Sequence, residues 1–317
     1  MINQKIIEYI TGAKTVLIVS HKKPDGDSLG SSLALSAALK QLGKRCYVFS
    51  ADEPGPYFNY LPKIENILSN PENLGLKNFD LVITLDCGDT KQTGVEDLIS
   101  RDFQNIFLIN IDHHRTNENF GHLNLVIDNA SSTSEIVYNI IKNLDVIVDK
   151  DIATCLLTGI LTDTSNFTNA ATNFSSLKIA ADLLLRGARF NQINESTFKN
   201  KPLATLKLWG KVLSRLEQNE LGLVSAVITL NDLEDSQLDA SALEGVANFL
   251  NNIDGARGVL VLKEERSGVI KGSMRSNDDA LDVSEISKIF GGGGHRKAAG
   301  FTIKGKLVER EGSWMVV

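Results

Sequence analysis

Three short apolar runs each end in an acid or a histidine, and this coupling constrains the chain more than any other feature. Thr15–Ser20 (TVLIVS) runs into His21, Leu81–Leu85 (LVITL) into Asp86, and Ile106–Ile111 (IFLINI) into Asp112, His113 and His114. A short apolar run without polar alternation reads as a strand covered on both faces, the condition of a parallel sheet. Helical patterns separate the runs. Ser28–Leu42 is followed by Gly43, a favourable C-terminal cap. Ser132-Thr133-Ser134-Glu135 has the pattern of a capping box, opening a helix through about Asn143. Ile152, Leu156, Ile160 and Leu161 recur at helical spacing. The alternation predicts an α/β fold, a parallel sheet flanked by helices. Ligands of such sheets bind beyond the carboxyl ends of the strands, so the polar residues closing the three runs should converge.

The texture changes after about residue 185. Residues 189–202 (RFNQINESTFKNKP) are polar and weakly periodic, a linker or hinge. A helix near Leu206–Leu216 leads to strands near 221–229, 258–263 and 269–274, with helices near 242–251 and 282–290. The expected organisation is a first α/β domain over 1–188, a linker or hinge helix over 189–217, and a smaller mixed α/β C-terminal domain over 218–317. A length of 317 residues suits two domains.

Charge narrows the partners. Lys and Arg number 33 against 39 Asp and Glu, a formal net charge of -6. A protein that wraps long duplex nucleic acid gains affinity by neutralising phosphates with a basic surface, so this balance argues against such a partner. A small anion remains compatible where metal ions supply the local positive charge. The three cysteines, Cys46, Cys87 and Cys155, form no C-x-x-C pair and read as reduced thiols. The opening MINQKIIEYITGAK lacks the apolar core of a signal peptide. No apolar run approaches the roughly 20 residues that span a bilayer. A cytoplasmic protein with no membrane partner is expected.

The acids and histidines form a constellation. His21-x-x-x-Asp25-x-Asp27 follows the first run, Asp86 the second, Asp112-His113-His114 the third, and Asp163 the apolar helix ending at Thr162. Singly, a strand-end Asp is more often a cap than a ligand; three such segments at three strand ends are hard to reach by coincidence. Carboxylates and imidazoles without thiolates suit divalent cations such as Mn²⁺, Fe²⁺ or Co²⁺. So many ligands exceed the need of one ion and fit a pair about 3.5–4 Å apart that shares a carboxylate and a hydroxide. His122 reads as structural. Near the C-terminus, Gly291-Gly292-Gly293-Gly294-His295-Arg296-Lys297-Ala298-Ala299-Gly300 completes neither a dinucleotide fingerprint nor a P-loop. It reads either as a tight connection or as a backbone that lets an anion approach exposed amides, with Arg275 able to add a forked phosphate clamp.

In order, these motifs resemble the four motifs of the DHH phosphoesterase superfamily, and Gly291–Gly300 resembles the G-G-G-H-x-x-A-A-G signature of its DHH-associated domain. The whole set is similar to the nanoRNase (oligoribonuclease) and 3′-phosphoadenosine-5′-phosphate (pAp) phosphatase group, related to RecJ. The resemblance implies an active site in the cleft between the two domains and two divalent ions, Mn²⁺ first, with Mg²⁺ or Co²⁺ as substitutes. His21, Asp25 and Asp86 would hold one ion; Asp27, Asp86, His113 and Asp163 would hold the other. Asp112 would orient a neighbouring imidazole, and His114 would meet the reacting phosphate. Arg275, Gly293, Gly294 and His295 would grip the substrate, with Arg115 a further phosphate contact. The implied activity is hydrolysis of short RNA to mononucleotides and of pAp to AMP and phosphate, by a metal-bridged hydroxide. The substrate would be a small nucleotide or short single-stranded RNA, and a homodimer is compatible. Alternatives on the same scaffold are a cyclic or linear dinucleotide phosphodiesterase, an exopolyphosphatase or pyrophosphatase, and a RecJ-type exonuclease. A catalytically dead nucleotide sensor is the remote one.

Overall fold

The computed structural model describes residues 2–75, 78–101, 106–199, 201–243, 245–276, 278–310 and 313–317. The chain divides into two compact units, Met1–Asn200 and Lys201–Val317. The first unit carries, in order, α1 (Ile2–Gly12), β1 (Thr15–Ser20), α2 (Gly26–Gln41), β2 (Arg45–Phe49), α3 (Glu72–Gly75), β3 (Leu81–Leu85), α4 (Glu96–Arg101), β4 (Phe107–Asp112), β5 (Leu123–Val126), α5 (Thr133–Ile141), α6 (Lys150–Asp163), α7 (Phe174–Leu185) and α8 (Phe190–Ile193). Its five-stranded sheet has the order β2-β1-β3-β4-β5, and every pairing is parallel.

The unbroken apolar runs have a direct structural cause: both faces of the sheet are covered. Val16, Ile18, Leu81, Ile83, Leu85, Ile109 and Ile111 face a core shared with Leu29, Leu33, Ile136, Ile152 and Leu156 of the helices. Leu17, Val19, Val82 and Leu108 face a second core with Phe49 and Phe79. Each such side chain contributes about 1.5–3 kcal/mol on burial, so an alternating polar face would forfeit one of the two layers.

Three local readings differ from the sequence expectation. The capping box at α5 does not close. Ser132 Oγ accepts from Glu135 N at 3.1 Å, but the Glu135 carboxylate accepts instead from Ser131 N and Ser131 Oγ, each at 2.8 Å. Residues 190–198 form α8 and a π-helical turn, Asn194–Phe198, because Ile193 is fully buried and draws the segment onto the first core. The β5 edge strand and α7 were not foreseen.

The second unit contains α9 (Leu203–Leu213), β6 (Glu217–Gln218), β7 (Leu223–Ile228), α10 (Leu230–Ser236), α11 (Val246–Leu250), β8 (Gly258–Glu265), β9 (Val269–Arg275), α12 (Val283–Ile289), β10 (Gly293–His295), β11 (Ala298–Lys304), β12 (Leu307–Arg310) and β13 (Ser313–Val316). Its sheet runs β10-β11-β9-β8-β7-β6 with only β7 and β8 parallel. β12 and β13 pair as an antiparallel ribbon. Among the described residues, no helix is long and apolar enough to cross a membrane.

Candidate metal centre

The site forms where β1, β3 and β4 end and α2, α5 and α6 meet them. β1 delivers His21, whose Nδ1 lies 2.8 Å from the Lys22 carbonyl, so Nε2 faces the centre. Asp25 is the N-cap of α2: its Oδ1 accepts from Asp27 N and Ser28 N, each at 3.0 Å. That cap turns the chain so that Asp27, in the first turn of α2, points inward with no exposed surface. Asp86 leaves β3 in the left-handed region, with φ at 61°. A non-glycine residue held there stores strain, and such strain gathers at functional positions.

Asp112 ends β4, fully buried. Its Oδ1 accepts from His113 N and contacts His114 Nδ1, both at 2.8 Å, and its Oδ2 accepts from Asn117 Nδ2 at 2.6 Å. Asn117 is tied in turn to Asn110, which donates to Thr84 Oγ1. His113 Nε2 stands 3.1 Å from Asp163 Oδ2 and 3.6 Å from Asp86 Oδ1. His21 Nε2 stands 3.6 Å from Asp25 Oδ1 and 3.5 Å from Asp86 Oδ2. Asp163 comes from the last residue of α6.

Three ligand groupings result: His21, Asp25 and Asp86; Asp27, His113 and Asp163; and Asp86, His113 and His114, with the ligand atoms of each within 4.8 Å of one another. Asp86 belongs to two of them, one carboxylate oxygen turned to each side. Ligand atoms about 2.1 Å from a first-row ion stand about 3 Å apart, so these separations suit atoms that flank an ion. The nearest thiol does not compete: burial first, then the negative charge of Asp86, pushes Cys87 well above the ordinary thiol range. The donor set is imidazole and carboxylate, which fits hard or borderline divalent cations.

The electrostatics carry the same mark. Burial disfavours the charged form of His21, yet Asp25 and Asp86 outweigh it and push the ring up to about 11. His113 is likewise raised to about 11, against its burial, chiefly by Asp163 and then Asp86. Asp27 goes well above the ordinary carboxylate range, through burial and then repulsion from Asp86 and Asp163. Asp163 also rises, burial outweighing the attraction of His113. His114 is raised, Asp112 overcoming burial, while Asp112 is lowered because His114 and Asn117 outweigh its burial. Carboxylates crowded to this degree draw protons onto themselves and their histidines, a balance that cations would reverse.

The remaining expected site residues belong to none of these groupings. Arg115 is exposed, its Nε 4.0 Å from Asp128 Oδ2. In the second unit, Arg275 ends β9 and donates to Asn248 Oδ1 at 2.7 Å and to the Met274 carbonyl at 2.8 Å. The register sets Arg275, Ala298 and His295 in one row across β9, β11 and β10. The side chain of His295 lies outside the described residues. Gly293 and Gly294 open β10, and Gly294, at φ 141°, has a conformation and a closeness to Ala298 and Ala299 that no side chain tolerates. His122 supports β4: its Nδ1 accepts from Leu108 N, and its ring stacks on Phe107.

Sequence reasoning missed three contributors. Thr133 and Ser134 give their backbone N–H groups to Asp27 Oδ2 and Oδ1, at 2.6 and 2.9 Å, and Thr133 Oγ1 donates to Asp86 Oδ1 at 3.0 Å. Gly159 of α6 passes so near that a Cβ there would collide with Ser134 Oγ and Asp27 Oδ1. The polar Ser-Thr-Ser run at the start of α5 is the available signal, and from sequence alone it has an ordinary explanation as a cap.

Sheet and site together define a class of protein with an acid–imidazole cluster, suited to divalent cations, at the carboxyl edge of a parallel sheet. The family described as DHH family, N-terminal domain matches residues 15–160, and the DHHA1 domain matches residues 221–311. The bifunctional oligoribonuclease and PAP phosphatase NrnA of Thermus thermophilus is 35% identical over 291 residues, covering 92% of this chain and 84% of that protein. Its namesake from Bacillus subtilis is 25% identical over 302 residues, covering 94% and 92%. The crystal structure of an exopolyphosphatase-related protein from Bacteroides fragilis superposes with a TM-score of 0.87 at 26% identity, over 94% of this chain and 90% of that one. The chain belongs to the DHH family.

Proposed function

We propose that this chain is a phosphoesterase dependent on two divalent ions, Mn²⁺ first, that hydrolyses short RNA to mononucleotides and pAp to AMP and phosphate. The observation that carries the reading is the shared Asp86 carboxylate, with one oxygen 3.5 Å from His21 Nε2 and the other 3.6 Å from His113 Nε2. His21, Asp25 and Asp86 would hold one ion, and Asp27, Asp86, His113 and Asp163 the other. When bound, such ions supply positive charge against phosphate oxygens and acidify water.

The chain's own residues supply the rest. Asp112 holds His114 through Nδ1, so the ring would act through Nε2. As water attacks phosphorus and the ester bond breaks, an imidazolium at His114 would give its proton to the leaving oxygen. Asn117 fixes Asp112 and thereby the ring. We assign this chemistry to residues 1–188 and substrate recognition to 218–317, joined through 189–217. Arg275 would clamp a phosphate, with Gly293, Gly294 and His295 beside it and Arg115 as a further contact. The names of the Thermus and Bacillus relatives support the nucleotide substrates, and the net charge of -6 favours small ones.

The Bacteroides structure, by its name, favours one second reading, an exopolyphosphatase. A hydrolysis panel in Mn²⁺ separates the two: pAp, RNA of two to five nucleotides, linear and cyclic dinucleotides, pyrophosphate and polyphosphate. Turnover of pAp and short RNA that chelator removes is expected. Preference for polyphosphate would overturn the substrate, and tight nucleotide binding with no turnover would overturn the enzyme.

A further inference from the structure

Asp86 belongs to two of the three ligand groupings, and its own geometry is improbable. Its backbone sits at φ 61°, a conformation costing on the order of 1 kcal/mol or more for a residue with a side chain. The backbone is secured by Asp86 N donating to the Ile111 carbonyl at 3.0 Å. That bond fixes where the side chain starts, not how its carboxylate plane is turned. For Oδ2 to meet His21 while Oδ1 meets His113, the plane must be held at one rotation.

One described hydroxyl reaches the group. Thr133 Oγ1 donates to Asp86 Oδ1 at 3.0 Å, while the N–H of the same residue donates to Asp27 Oδ2 at 2.6 Å. Thr133 therefore touches two carboxylates of the ligand set proposed for the second ion, Asp86 and Asp27, and both are buried, at 2% and 0% exposure. The residue itself is fully buried at the start of α5, and Ser132 and Glu135 lock the helix end that carries it. As a β-branched residue, threonine has little freedom at χ1, so its hydroxyl is aimed by the backbone. Ser134 N completes the grip on Asp27, at 2.9 Å to Oδ1. Gly159 leaves the room in which these groups meet.

We propose that Thr133 is a positioning residue that sets the rotation of the Asp86 carboxylate so that one oxygen serves each ion. The inference rests on the two-metal reading above and adds a residue to it. Thr133 belongs to none of the ligand groupings and acts through Asp86. Groups that orient metal ligands in this way typically control affinity by about ten- to a hundredfold.

The test is a direct Mn²⁺ binding titration on the full chain, following the free-ion electron paramagnetic resonance signal after chelator treatment. Wild type should take up two ions per chain. Thr133→Val, close in shape but without the donor, should bind at least one of them about ten- to a hundredfold more weakly, with an unchanged far-ultraviolet circular dichroism spectrum. Thr133→Ala must show the same weakening, which keeps the test alive should the valine variant fold poorly. Thr133→Ser, which keeps the hydroxyl on the same carbon, should bind nearly as wild type. Wild-type isotherms for the valine and alanine variants, or a serine variant as weak as valine, would overturn the role of the hydroxyl. Fewer than two ions in wild type would overturn the two-metal reading and this inference with it.

Discussion

Asp27 and Asp232 are the same residue at nearly the same burial, 0% and 1% exposed, and their environments drive them in opposite directions. Both are held by groups at helix beginnings. Asp27 takes the N–H groups of Thr133 and Ser134. Asp232, in the first turn of α10, takes Thr229 N and Oγ1, each at 2.9 Å. The difference lies in the charges. Asp232 faces a forked guanidinium, Arg215 Nη1 at 2.5 Å and Nη2 at 3.0 Å, with Lys211 Nζ 3.3 Å away. Burial opposes its ionisation, but Arg215 and then Thr229 outweigh it and hold the carboxyl at about 2. Asp27 faces Asp86 and Asp163, and burial plus their repulsion lifts it well above the ordinary range. Burial alone therefore says little about role. The second unit completes its own charge balance, so Asp232 is part of the scaffold; the first leaves a deficit of positive charge that suits cations.

The largest effect should come from Asp86, the residue shared by the ligand sets proposed for the two ions. Asp86→Ala should leave no more than a few per cent of hydrolytic activity while the cores on either side of the sheet stay folded. Steady-state hydrolysis of pAp together with circular dichroism checks both halves of the statement. Substantial activity would mean that Asp86 does not bridge. In the second unit, Arg215→Ala strands a buried charge, which costs about 3–5 kcal/mol for a fully buried pair. Arg215 is 23% exposed and Lys211 remains near Asp232, so about 2–3 kcal/mol is the expected loss. Urea unfolding should show it, with Mn²⁺ uptake unchanged. Loss of Mn²⁺ uptake would erase the contrast between the two aspartates.

Only the first unit's side of this contrast was legible in the sequence, and the reasons differ by residue. His21, Asp86, Asp112 and His113 were readable because an apolar run of fixed polarity fixes where its strand ends, and parallel strands end on one edge. Asp163 was readable as the acid that closes an apolar helix, and its place among the ligands came from the family resemblance. Thr133 was not, since its contact with Asp86 joins residues 47 positions apart, and threonine in a helix's first turn has an ordinary local explanation. Gly159 carried no signal in the sequence; its reason is the neighbouring Asp27 and Ser134. α7 went unread because Phe174, Leu177, Leu184 and Leu185 are exposed while Ile179, Ala180 and Leu183 are buried, which smears the helical period. β5 is four residues long at a sheet edge, too short to carry a period.

Removing the metal should separate the units further. Both tryptophans, Trp209 and Trp314, lie in the second unit, so their fluorescence follows that unit alone. An ion at about a hundred times its Kd stabilises the unit that binds it by about 2.7 kcal/mol. Mn²⁺ should therefore raise the thermal transition seen by circular dichroism of the helix-rich first unit and leave the tryptophan transition in place, and chelator should return the first to its start. A tryptophan transition that moved in step would show the two cores to unfold as one.

The smallest effect is the pH dependence of the second unit. An acid whose folded pKa lies below its unfolded value contributes stability that is complete above the unfolded value and is lost as pH falls through the folded one. For Asp232 that window runs from about 4 down to about 2. The guanidinium carbon of Arg215 also lies 5.2 Å from the ring centroid of Trp314, so release of the pair should change tryptophan emission directly. Urea midpoints followed by tryptophan fluorescence should fall between pH 4 and pH 2 in wild type. They should fall less in Arg215→Ala, whose Asp232 has lost its main reason to stay ionised. An equal fall in both proteins would mean that other carboxylates set the acid limit of this unit, and that Arg215 does not distinguish Asp232 from Asp27 in the way the distances indicate.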